Sequence, residues 1–151
     1  MIEIGEAFPD FKLKDQNREI VEKKDLAGNA AVIYFYPKDD TSGCTTEACE
    51  FRDAFPRFKG IRVIGVSPDS PQSHAKFAAK YDLPFTLLSD EEKQLLIAVG
   101  VWVEKAMYGK KYMGVERTTI LLDDQGKVVK VWNKVKPAGH AEEVEEAIRS
   151  M

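Results

Sequence analysis

The sequence is poor in the residues from which metal and acyl-transfer sites are built. Its 151 residues include only two histidines and two cysteines. His74 and His140 adjoin neither cysteine, which argues against the cysteine–histidine pairing of protease-type acyl chemistry. Cys44 and Cys49 are too far apart for the usual zinc-ligand pair, and no second pair follows. There is no glycine-rich phosphate loop and no Ser-His-Asp pattern. No apolar run approaches the roughly 18 residues that a membrane-spanning helix needs. The start, Met1 to Phe8, lacks a basic region followed by an apolar one, so a secretory signal is not expected. Nor does one sign of charge dominate. The net charge is −3 with lysines and acids interleaved, which gives no electrostatic case for nucleic acid or an anionic membrane. The expectation is a soluble cytoplasmic protein, in a compartment where a nearby cysteine pair serves redox or metal chemistry more often than structure.

What is present is an ordinary globular balance, 44% hydrophobic and 31% charged. A chain of this length points to one domain, residues 1–151, able to bury a core without disulfides or metal. Phe11 to Leu13 and Glu19 to Val21 flank a turn-like Asp15-Gln16-Asn17 and read as an N-terminal hairpin. Ala31 to Tyr36 is apolar throughout, as in a central strand covered on both faces. Cys44, Ala48, Phe51, Phe55 and Phe58 recur at helical spacing, which predicts a helix over 42–58 with Thr41 or Ser42 as N-cap. Ile61 to Val66 is the next strand, and Pro71 opens a helix. Phe85 to Leu88 is a short strand, and Asp90 caps a helix to about Val99. Gly100 to Gly114, rich in Lys, Tyr and Gly, reads as a long loop, and its cluster Lys105 to Tyr112 as solvated. Thr118 to Leu122 and Lys127 to Trp132 form a hairpin, followed by a helix over 141–151. Strands alternating with helices predict an α/β fold with helices on both faces of a mixed sheet.

The chemistry concentrates at Pro37-Lys38-Asp39-Asp40-Thr41-Ser42-Gly43-Cys44, where a buried strand hands over to a helix. Unpaired N–H groups and the positive dipole end favour a thiolate in the first helical turn. An unperturbed thiol of pKa ~8.5 is only about 3% ionised at pH 7, so complete ionisation gains at most roughly thirtyfold. Fast chemistry at Cys44 therefore needs donors that position the electrophile and stabilise a leaving oxyanion. Thr41 and the amides of Gly43 and Cys44 are at hand, and Pro37 removes a donor and shields one wall. Arg117, at the start of a strand, is the best distant cation, and Glu47, one turn beyond Cys44, can hold such an arginine. Taken singly, each residue has a structural reading: an inert small hydrophobe for either cysteine, a solvated strand-end charge for Arg117. Two thiols this close also form a dithiol able to cycle with a disulfide.

The segment Tyr34 to Asp53, with its Pro-x-x-x-Thr-x-x-Cys turn, strongly resembles the peroxiredoxins, and most of all their bacterioferritin comigratory protein, or peroxiredoxin Q, branch. The likeness extends over nearly the whole chain, through Gly5 to Phe11, Gly65 to Ser70, Ser73-His74, Leu87 to Asp90, Met107 to Lys110 and Arg117 to Thr119. Ile120 stands where related chains often have Phe. The resemblance implies a thioredoxin-like fold, with a central mixed β-sheet flanked by helices and an N-terminal β-hairpin extension. It implies thiol-dependent reduction of hydroperoxides, with Cys44 as the peroxidatic cysteine and Pro37, Thr41 and Arg117 completing its pocket. Cys49 then matches a resolving position, Glu47 a supporting acid, and the reductant is thioredoxin or a similar dithiol protein. No metal, haem or flavin is implied, and no second subunit, so a monomer is expected. The same pocket would also serve a thioredoxin-fold peroxide sensor, which turns over only stoichiometrically. A general disulfide oxidoreductase would show Cys-x-x-Cys, which is absent.

Overall fold

The computed structural model describes residues 1–151. Nine strands and four α-helices follow in chain order: β1 (Lys12–Asp15), β2 (Ile20–Glu22), β3 (Ala31–Phe35), α1 (Ser42–Ala54), β4 (Arg62–Ser67), α2 (Pro71–Tyr81), β5 (Thr86–Ser89), α3 (Gln94–Val99), β6 (Trp102–Met107), β7 (Lys110–Val115), β8 (Thr118–Leu122), β9 (Val128–Trp132) and α4 (His140–Arg149). Seven strands make one sheet in the order β2-β1-β5-β4-β3-β8-β9. β3, β4 and β5 run parallel at its centre, and β1, β8 and β9 pair antiparallel outside them. The N-terminal hairpin is therefore the edge of the main sheet, joined through Lys14↔Ser89 and Asp15↔Leu88.

The period-2 alternation of the central strands divides the core in two. Ile33, Phe35, Ile64, Val66 and Ile120 pack under α3 and the N-terminal segment. Val32, Tyr34, Tyr36, Val63 and Leu121 face the residues of α1, α2 and α4. Helices cover both faces, as the uniformly apolar Ala31 to Tyr36 requires.

Several elements differ from the sequence reading. α1 stops at Ala54, and a 3₁₀ turn over Phe55–Phe58 continues it, because Pro56 cannot donate into a further α-turn. The helix after Asp90 begins only at Gln94, although the Asp90 carboxylate does serve it, accepting from the Leu96 amide at 2.8 Å. The stretch read as a long loop is a separate two-stranded hairpin, β6 with β7. Its turn residues Tyr108 and Gly109 have φ of 52° and 78°, the consecutive left-handed pair of a tight hairpin turn. The Lys- and Tyr-rich composition hid this, because both faces of β6 and β7 carry polar residues and the apolar alternation is weak.

Candidate active site

Sheet topology assembles the site. β3 runs into the loop that leads to α1, so Cys44 lies just beyond the carboxyl end of a central strand. β8 is antiparallel to β3, with Thr118 opposite Phe35, so its first residues lie at that same end. Arg117, one residue before β8, is thereby delivered to the start of α1. Its Nη2 donates to Cys44 Sγ at 3.3 Å and its Nη1 to Glu47 Oε1 at 2.8 Å. One planar guanidinium thus spans two residues a helical turn apart. Cys44 is 1% exposed and the Arg117 side chain 16%, so the cation fronts the thiol on the solvent side.

The Glu47 carboxyl is buried, and its second oxygen has no hydrogen-bond partner. Burial pushes it up to about 7, with Arg117 pulling the other way. A sulfur anion at Cys44 and a carboxylate at Glu47 would share this single arginine. Behind them, the Tyr34 hydroxyl is also buried without a partner, and burial, then Glu47, raises it well above the ordinary tyrosine value.

Thr41 occupies the N-cap position, but its side chain caps nothing: Oγ1 donates back to the Lys38 carbonyl at 2.8 Å. The hydroxyl instead closes the loop and stays exposed at the site's mouth, three residues from Cys44. Pro37 is half-buried in the same loop. Cys49 sits on the same continuous helix as Cys44, half-buried and outside the apolar cluster that holds Cys44. Both thiols are free.

The sequence reading did not anticipate the part played by residues 135–140. The Val135 amide donates to the Arg117 carbonyl at 2.9 Å, and the Gly139 amide to Glu50 Oε1 at 2.8 Å. His140 is buried with Nε2 2.7 Å from Thr119 Oγ1. Burial holds its ring below the usual histidine range. This segment ties β8 to α1 across the site, and no hydropathy pattern marks it. Lys105 on β6, read as solvated, is half-buried, pairs across the hairpin with Tyr112 of β7, and lies within electrostatic reach of Arg117 and Cys44. Burial first, then the Arg117 charge, lowers its ammonium from the ordinary value.

The chain that carries this buried thiol and its arginine is similar to known proteins over nearly its whole length. The AhpC/TSA family model matches residues 4–131. The chain belongs to this family, in its Bcp/peroxiredoxin Q branch. Peroxiredoxin Bcp of Bacillus subtilis is 48% identical over 99% of this chain and 97% of its own. Peroxiredoxin Q of Xanthomonas campestris superposes with a TM-score of 0.91 at 43% identity, covering 99% of this chain and 96% of that one. A structure of the Xanthomonas campestris bacterioferritin comigratory protein, described for its alkyl peroxide reduction activity, matches at TM-score 0.91 and 43% identity over 99% and 97%. The fold is accordingly thioredoxin-like, and the chain is a peroxiredoxin, a thiol peroxidase.

Proposed function

We propose that this peroxiredoxin reduces hydrogen peroxide and organic hydroperoxides through Cys44, with Cys49 as resolving thiol and a thioredoxin-like dithiol protein as reductant. The observation that carries the assignment is the Arg117 fork, 3.3 Å from Cys44 Sγ and 2.8 Å from Glu47 Oε1. The Cys44 thiolate attacks one oxygen of the hydroperoxide, the O–O bond breaks, and the departing oxyanion takes a proton to leave as water or an alcohol. Arg117 stabilises the attacking sulfur and the charge that develops on the peroxide oxygens, while Glu47 positions Arg117. Thr41 offers a hydroxyl at the mouth, and Pro37 withholds a competing donor. Cys49 then attacks the Cys44 sulfenic sulfur, water leaves, and a disulfide forms; exchange with the dithiol protein restores both thiols.

Both cysteines belong to one chain, so the cycle is complete in a monomer acting as one domain. No helix is long and apolar enough to cross a membrane, which accords with work in the cytoplasm. Peroxide consumption with excess dithiol reductant tests the reading. Catalytic turnover is expected in the parent and none in Cys44→Ser, whose hydroxyl is neither ionised nor soft enough to attack an O–O bond. Merely stoichiometric consumption by the parent would favour a sensor, and turnover by Cys44→Ser would mean that the roles are misassigned.

A further inference from the structure

Beneath the loop that carries Pro37 and Thr41 lies a buried polar cluster that the peroxide chemistry does not use. Asp39 is 7% exposed and His74 is fully buried. Asp39 Oδ1 accepts from the Tyr36 hydroxyl at 2.6 Å, and Oδ2 from Ser73 Oγ at 2.7 Å. His74 Nδ1 is 2.7 Å from the same Oδ2, and its Nε2 is 2.9 Å from the Leu88 carbonyl oxygen. A carbonyl only accepts, so Nε2 carries a proton. Nδ1 faces a carboxylate oxygen, so a second proton lies between the ring and Asp39. The imidazole is thus a two-ended strut from the β5 backbone to the loop. The Asp39 amide is fastened as well, donating to Asp69 Oδ2 at 2.8 Å, an atom that also accepts from Ser67 Oγ at 2.6 Å. Both Asp39 oxygens and Asp69 Oδ2 already have hydroxyl or N–H donors, so the cluster is a hydrogen-bond knot centred on Asp39.

The knot stops where the helix begins. Asp40, with a left-handed φ of 56°, turns outward, and its exposed carboxylate meets Lys80 Nζ and the Tyr81 hydroxyl, each at 2.8 Å. Thr41 and Ser42 are exposed, and no side chain caps α1. The anchor of the loop is therefore buried and costly to break, whereas the helix starts at Thr41 and Ser42 in solvent and without a side-chain cap.

We propose that His74 and Asp39 form a positioning pair that holds Pro37 and Thr41 in place at the reaction site while the first turn of α1 rearranges. This rests on the assignment of Cys44 as the peroxidatic residue. Neither His74 nor Asp39 touches the reacting atoms. His74 acts through Asp39, and Asp39 through the loop.

Two isosteric halves of the imidazole separate positioning from mere core filling. His74→Asn sets an amide nitrogen near the place of Nδ1, keeping the donor to Asp39 and losing Leu88. His74→Gln reaches towards Leu88 and leaves Asp39 without that donor. The second-order rate of Cys44 oxidation by hydrogen peroxide is measured in the full reduced chain, beside the unfolding midpoint. The Asn variant should stay within about threefold of the parent, and the Gln variant should fall about tenfold or more at a comparable midpoint, because small displacements of reacting groups are costly. Equal rates in the two variants, the reverse order, or losses that track stability alone would overturn the proposal. Should His74→Gln not fold, Asp39→Ala decides from the loop side: a similar loss supports the pair, and the parent rate overturns it. Turnover by Cys44→Ser would sink the underlying assignment. A requirement for Cys44 with parental rates in His74→Gln and Asp39→Ala would sink this inference alone.

Discussion

Arg117 lies against the bare backbone of Gly43. A Cβ at Gly43 would stand 3.2 Å from Arg117 Nη2 and 3.3 Å from Pro137 Cγ. The glycine is therefore explained by the approach of the guanidinium to the helix, not by a special backbone angle. Gly43→Ala offers a direct test. Alanine should add up to about 1 kcal/mol of helix stability at this position. It should also displace Arg117 by a few tenths of an ångström and slow Cys44 oxidation by about tenfold. A variant that is more stable and equally fast would show that the arginine tolerates the shift.

Arg117→Ala should slow the peroxide step by about a hundredfold or more, the scale of losing a charged donor at a reacting centre. The domain should still fold, because Glu47, already pushed up to about 7, can take a proton when its cation is lost. Stopped-flow oxidation and thermal unfolding check the two halves separately. An unchanged second-order rate would remove Arg117 from the site.

Glu47 makes stability depend on pH. Its folded value of about 7 lies above the ordinary 4.5, so the folded state binds the extra proton. The resulting stability is fully present below about pH 4.5 and is lost as pH rises through about 7, by up to about 3 kcal/mol. Glu47→Gln removes the titration and should flatten this part of the curve. Denaturant midpoints for both proteins across that window measure it, and parallel curves would contradict the assignment.

A disulfide between Cys44 and Cys49 should melt part of α1. Residues five apart in a continuous helix have Cα atoms about 8.6 Å apart, from a rise of ~7.5 Å and a rotation of ~140°. A disulfide tolerates roughly 6.8 Å at most. The reduced chain keeps Ser42–Ala54 as one helix with both thiols free, consistent with a bond that waits for unwinding. Oxidation should abolish amide-exchange protection between Thr41 and about Arg52, while the buried polar anchor at Asp39 keeps its own. Equal protection in both redox states would exclude Cys49 as the partner of Cys44. The melted interval also leaves the sulfenic acid open to over-oxidation, which mass spectrometry under excess peroxide should record as a sulfinic acid.

Much of this molecule is legible along the chain. The apolar run Ala31 to Tyr36 marked a strand covered on both faces, and the helical spacing from Cys44 to Phe51 marked the face that packs beneath it. Those are local periodicities, and a residue's face follows from its own neighbours in sequence. The thiol at a helix start was readable for the same reason, as were the five-residue separation from Cys49 and the geometric bar to a bond within a helix. Other features depended on partners distant in sequence. Arg117 reaches Cys44 because β8 runs antiparallel to β3, and no pattern near residue 117 encodes that pairing. The polar faces of β6 and β7 disguised a hairpin as a loop. Nothing beside His74 in the sequence announces the carbonyl that β5 supplies on one side of its ring or the carboxylate that the loop supplies on the other. Hydropathy reports whether a side chain leaves water. Which buried polar groups meet one another is decided by the long-range pairing of strands and by the requirement that each donor and acceptor find a partner there.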